Sequence, residues 1–227
     1  MGNHTRSSVN IAKEIVVQHT KIEWVKNADG SPGYTWNPVT GCYGPGGTKE
    51  QPLHCPYCYA KRIAERFRGG KAFPNGFEPT GYWDRFGDTA KRKQGDRVFV
   101  CSMADLFGDW WYGSYPIKDV LQRVCESPAT YIFLTKNPAR LAEFEWPKNA
   151  WVGVTATDHP MYDIAVTCLH VVKAGVRFIS CEPLLKPISA YELDGNVNWL
   201  ILGARTNPLQ LSVIHNSATS TRGEAVE

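Results

Sequence analysis

Three cysteines carry the most chemistry that the sequence offers. Cys42 closes the run TWNPVTGC at 35–42. Twelve residues later, the run CPYCYA at 55–60 supplies Cys55 and Cys58. A Cys-x-x-Cys turn brings both sulfurs to one centre. Gly41, Gly44, Gly46 and Gly47 let the backbone wrap so that Cys42 returns to them. The pair opens directly into a helical pattern, and a helix N-terminus favours the thiolate that binds metal. Three chemistries fit. A structural zinc needs a fourth ligand, from His54 or the distant Cys101. A dithiol redox couple uses Cys55 and Cys58 and leaves Cys42 without a part. An iron–sulfur cluster on three thiolates leaves one iron open to a small ligand. Cys125 and Cys168 fall on the inner faces of helical patterns and read as buried packing residues, as do Cys101 and Cys181 at strand ends.

The remaining pattern shows what must hold that loop. Ala60, Ile63, Ala64 and Phe67 recur as one apolar helix face, which Gly69-Gly70 ends. Apolar runs at 97–102, 131–135, 151–155, 176–180 and 198–203 read as strands buried on both faces. Between them, Pro116 opens a helix with Ile117, Val120, Leu121 and Val124 inward. Asn137-Pro138 caps a second, with Leu141 and Phe144 inward. Asp158 and Pro160 open a third, with Met161, Ile164, Ala165 and Cys168 on one face. One more strand ahead of the cysteines makes six βα units. They fit a barrel, a partial barrel or a doubly wound open sheet, and in each case function sits at the C-terminal strand ends. There the apolar runs give way to Ser102 and Asp105, to Thr135 and Lys136, to Thr155, to Ser180 and Glu182, and to Arg205. Charges beside buried strands need partners, so Lys136, Glu182 and Arg205 point to a convergent pocket.

The chain has 227 residues, 43% hydrophobic and 21% charged, a globular mix that excludes disorder, collagen and coiled coil as a whole-chain description. It contains no run of ~18 apolar residues, so no membrane span is expected. The first twenty residues lack the apolar core of a secretory signal, and seven cysteines without an export signal point to a reducing, cytoplasmic setting. A net charge of +3 is too mild to imply nucleic acid. Residues 61–97 nevertheless hold ten Lys or Arg against five Asp or Glu, which reads as either a solvated face or an anion patch. The expected organisation is a flexible extension at 1–20, one domain at 21–208, and a disordered or atypical tail at 209–227.

The motifs TWNPVTGC, CPYCYA, VCSMADLF, FLTKNP, VGVTAT, RFISCEPLL and WLILG stand here in order. In that combination the chain resembles a phage-associated family of unknown function whose members are similar to radical S-adenosylmethionine enzymes. The resemblance implies an α/β fold, a partial (βα)6 barrel of radical-SAM type with parallel strands and outer helices. It implies a 4Fe-4S cluster held by Cys42, Cys55 and Cys58, with Tyr57 as the aromatic residue before the last cysteine. Ser102 and Asp105 fall where the methionine amino group of S-adenosylmethionine binds. Thr135, Lys136, Thr155, Ser180, Glu182 and Arg205 are the further pocket candidates. The implied chemistry takes an electron from an external donor and forms a 5′-deoxyadenosyl radical, which acts on a nucleic acid, a peptide or a small molecule. The sequence departs from the radical motif in its twelve-residue first gap. It also lacks Gly-Gly-Glu-Pro after the second strand, and Glu182-Pro183 follows a later one. The alternatives are a zinc-stabilised nucleic-acid or ligand-binding module and a dithiol redox protein.

Overall fold

Six apolar runs become parallel strands, and they lie in the sheet in the order in which the chain makes them. The computed structural model describes residues 17–87, 89–111, 115–189 and 195–204. Arg205, the tail at 209–227 and residues 1–16 of the extension lie outside the described residues.

β1 (Val17–His19) pairs antiparallel with β2 (Tyr34–Trp36). β3 (Val39–Thr40) and β4 (Thr80–Gly81) form a separate two-stranded ribbon, with α1 (Tyr59–Arg66) between them in the chain. The main sheet resumes with β5 (Arg97–Val100), parallel to β2. β6 (Thr130–Thr135), β7 (Ala150–Thr155), β8 (Val176–Leu184) and β9 (Trp199–Ala204) follow in turn, each parallel to the last. α2 (Ile117–Cys125) connects β5 to β6, and α3 (His159–His170) connects β7 to β8. A doubly wound sheet would reverse its strand order once; this order, β1-β2-β5-β6-β7-β8-β9, never does. Right-handed crossovers that always step the same way leave every helix on one face.

Strand alternation sorts the two faces. Val98, Val100, Tyr131, Phe133, Val152, Val154 and Ile179 point outward, where they pack with Ile117, Val120 and Val124 of α2 and Ala165 and Leu169 of α3. Phe99, Ile132, Phe178 and Ile201 point the other way, and among the described residues no helix covers them. Val25, Ile22 and Trp24, from the β1–β2 connection, fill that face. The Trp24 ring lies 5.1 Å from Phe99 on β5 and 5.9 Å from Trp199 on β9. Those contacts bring the two strands' side chains within roughly 11 Å, although four spacings of ~4.8 Å would separate them by about 19 Å on a flat sheet. The sheet is therefore curled around Trp24. Among the described residues no pairing joins β9 to β1, so the curl is open.

Three expectations need correction. On α1 the buried residues are Ala60 and Ala64, while Ile63 and Phe67 are exposed. The helix lies close against Phe77 and Met103, and only the small alanines fit between. On α3 the buried stripe is Tyr162, Ala165 and Leu169, and Ile164 is exposed. Two overlapping stripes compete there, and the one carrying Tyr162 and Leu169 buries more apolar area. Cys125 is exposed rather than packed, because it falls beyond the 117–120–121–124 face of α2. Among the described residues no helix is long and apolar enough to cross a membrane.

Gly153 on β7 lies opposite Phe178 on β8, and a Cβ at Gly153 would enter the Phe178 ring. Gly153→Ala should lower stability by about 1–3 kcal/mol in urea unfolding. In a Phe178→Ala background the same change should cost less than half as much.

Candidate functional site

The cysteine loop begins where β2 ends. Asn37 holds the chain there: its side-chain oxygen accepts from the Ser102 hydroxyl at 3.2 Å and from Met103 N–H at 3.0 Å. Gly41 donates to Met103 O at 2.9 Å, which sets Cys42 beside the segment that follows β5. Gly41 and Gly44 have φ of +88° and +86°, and a Cβ on either would run into backbone, of Glu78 and Leu53 respectively. Only glycine makes this wrap. Cys58 donates its N–H to Cys55 O at 3.0 Å, closing the Cys-x-x-Cys turn, and caps α1. Its sulfur accepts from Lys61 N–H at 3.3 Å, and the Cys42 sulfur accepts from Gly44 N–H at 3.2 Å.

Burial pushes the Cys42 thiol from 9.0 up to about 12, with further upward contributions from the charges of Asp105, Cys58 and Cys55; Gly44 N–H opposes them. Cys58 is also raised, first by burial and then by Cys55, while the Lys61 N–H and the Lys136 ammonium pull it back. The three sulfurs thus feel one another's charge. Yet among the described residues no three His, Cys, Asp or Glu side chains converge as the ligands of one ion. The three thiols are the residues here that could hold metal. Two buried ring nitrogens nearby have no partner among the described residues: His54 Nδ1, next to Cys55, and Trp110 Nε1, whose ring meets Tyr43 at 5.6 Å.

The predicted pocket residues divide into three groups. Tyr57 belongs to the cysteine loop: its hydroxyl reaches Cys55 and Thr157, and Lys136 Nζ lies 5.9 Å from its ring centre. Asp105 is a clamp. Its carboxylate accepts from Thr135 Oγ1 at 2.7 Å, Lys136 N–H at 2.9 Å and Phe107 N–H at 3.0 Å, tying the post-β5 loop to the end of β6. Glu182 belongs to the concave side, where Oε2 accepts from Trp24 Nε1 at 2.9 Å and Ser180 Oγ at 3.2 Å. Thr155 lies beside Ser180 in register, and both are buried.

Ser102 and Tyr59 join these groups. Tyr59 keeps 47% of its surface open, while its hydroxyl turns inward to donate to Ser102 O at 2.6 Å. Enclosure of that hydroxyl, then the charges of Cys58 and Glu182, raise it from 10.0 to about 12. Beside it a cleft of about 400 Å³ opens between His19, Thr20, Lys21 and Ile22 on one side and Thr35, Tyr59 and Ser102 on the other. Sequence reasoning did not assign Asn37, Tyr59 or Trp24. Asn37 and Tyr59 stood inside the two cysteine motifs, which was their signal; Trp24 had none, because its partners lie far away in the chain.

A family model described as a protein of unknown function, DUF5131, matches residues 19–225. The chain belongs to the DUF5131 family. No curated protein and no solved structure matches it. The DUF5131 match begins within β1 and spans the cysteine loop and every pocket candidate, so the curled sheet and its mouth lie within the family's extent.

Asp105→Ala would strand three donors, each costing ~1–3 kcal/mol when buried, so a loss of about 3 kcal/mol or more is expected in urea unfolding. Asp105→Asn, which keeps one acceptor, should lose less. Raised thiol and phenol values also set an alkaline limit. The folded protein holds the Cys42 and Tyr59 protons that the unfolded chain releases from about pH 9 and 10, so stability is full below pH 9. It should fall as pH rises towards 12, and melting temperature against pH in metal-free protein would show it.

Proposed function

We propose that this chain is a radical S-adenosylmethionine-type iron–sulfur enzyme on a partial (βα)6 barrel. One observation carries the reading. Three thiols occupy the loop after the first parallel strand, at the C-terminal mouth of a sheet whose six parallel strands run in chain order and curl. Strand-end mouths are where βα folds assemble reactive groups. The donor set suits a 4Fe-4S cluster on Cys42, Cys55 and Cys58. N–H groups point at two of the sulfurs, and two buried ring nitrogens border the loop without hydrogen-bond partners among the described residues. A cluster held by Cys42, Cys55 and Cys58 would supply the electron that, taken from an external donor, cleaves the sulfonium C–S bond of S-adenosylmethionine to methionine and a 5′-deoxyadenosyl radical able to take a hydrogen atom from substrate.

The chain's own residues have separable parts in this reading. Gly44 and Lys61 N–H and the Lys136 ammonium offset negative charge on the sulfurs. Glu182 keeps one oxygen fixed by Trp24 and Ser180. Its Oε1 has no partner among the described residues and is available to an ammonium or to ribose hydroxyls. Asp105 is a positioning residue, because its carboxylate is committed to Thr135, Lys136 and Phe107. Burial of Thr155 and Ser180 keeps water from the floor of the mouth. An external electron donor and a separate substrate complete the reaction.

Anaerobic purification with iron and sulfide quantitation tests this. The expected protein is brown, with about four irons per chain, and its spin signal shifts when S-adenosylmethionine is added. Cys42→Ala, Cys55→Ala and Cys58→Ala should each abolish the cluster. A colourless protein holding one zinc would establish the binding-module alternative, and a metal-free protein with a reversible Cys55–Cys58 disulfide the redox alternative.

A further inference from the structure

The exposed face of α1 does not fit a helix that only needs to be solvated. Tyr59, Ile63 and Phe67 recur four residues apart and are 47%, 40% and 55% exposed. Arg62 and Arg66 lie beside them on the same face, and neither has an acidic partner among the described residues; the Arg66 guanidinium rests 5.6 Å from the Phe67 ring centre. Elsewhere in the basic 61–97 segment, Arg68 pairs with Glu65 and Arg92 with Asp96, while Arg85 and Arg97 lie over Tyr82 and Trp151. The exposed face of α1 thus interleaves two cations that lack an acidic partner among the described residues with aromatic rings.

We infer that this face and the adjoining cleft bind single-stranded nucleic acid, with Tyr59 and Phe67 as stacking platforms and Arg62 and Arg66 on phosphates. The inference names the substrate class of the mouth proposed above, and in that sense rests on it. The rings stand roughly 12 Å apart along the helix, a span that a strand with unstacked bases can bridge. Tyr59 belongs to both surfaces. Its hydroxyl bond to Ser102 O fixes the ring at the cleft edge, so a base stacked there leads into the cleft. The cleft lining mixes the polar side chains of Thr20, Lys21, Thr35 and Ser102 with apolar surface, including Ile22 and the Tyr59 ring. That mixture suits a nucleotide, whose base takes an apolar seat while its sugar and phosphate meet hydroxyls and an ammonium.

Fluorescence anisotropy of a labelled 12-nucleotide mixed-sequence single strand tests this, on anaerobically reconstituted protein with iron measured in the same samples. Micromolar binding is expected, weakening about 7-fold between 50 and 200 mM salt if Arg62 and Arg66 each displace a counterion. The double variant Arg62→Ala/Arg66→Ala should bind more weakly and lose most of that salt dependence. Phe67→Ala should weaken binding roughly tenfold without changing the salt slope. Both variants alter exposed positions, and an unchanged melting temperature checks their folding. No binding, wild-type behaviour in both variants, or equal competition by a duplex or by polyglutamate overturns the inference. Protein that carries iron but ignores the oligonucleotide overturns this inference alone; protein that binds the oligonucleotide but takes up no iron overturns the cluster reading alone.

Discussion

A parallel sheet wound in one direction has two unlike faces, and here the helices take only one. The other face must be filled by something, or its Phe and Ile side chains would face water. The β1–β2 connection fills it, and the contact that fixes the fit is the Trp24 indole. Its ring meets Phe99, Phe178 and Trp199, and its N–H reaches Glu182. Aromatic burial of this kind contributes about 2–3 kcal/mol per ring. Its greater effect is geometric. By touching β5, β8 and β9 together, Trp24 sets the curl, and the curl turns the strand ends into a mouth rather than a ridge.

The mouth has an electrostatic problem of its own. Cys42 and Cys58 lie in surroundings that disfavour their charged forms, and the neighbouring thiols add to that. The loop nevertheless supplies N–H donors to two sulfurs and a lysine to one side, groups that favour thiolate. Burial and donors oppose each other, and the proposed cluster would reconcile them. Cys101, just after β5, adds backbone strain with φ of 59°. That turn redirects the chain so that Ser102 and Met103 meet Asn37.

Much of this was legible in the residues because it is local. Apolar runs of strand length, Pro116 and the Asp158 cap fix their elements through neighbours a few positions away, and α2 and α3 begin where those signals stand. Which face of α1 or α3 turns inward was less legible. The stripe with Ile63 and Phe67 is the more apolar one, but the inward face belongs to the alanines because Phe77 and Met103 lie close. The roles of Asp105 and Glu182 were not legible either. Both follow strands and look alike in sequence, yet one carboxylate is fully used as a clamp and the other has an oxygen without a hydrogen-bond partner among the described residues. Hydrogen bonds to residues 30 and 158 positions away decide that difference.

The separation of 158 residues between Trp24 and Glu182 also has a meaning in time. A chain made at ~5–20 residues per second exposes Cys58 roughly 6–25 s before Glu182 exists. Through that interval the cysteine loop has neither β8 nor the filled concave face to enclose it, and its thiols meet the cell as those of an unfolded peptide would. The order of synthesis thus leaves the cysteine loop open during a window that closes when β8 arrives, and the proposed cluster would have to be loaded within it or wait for a later opening.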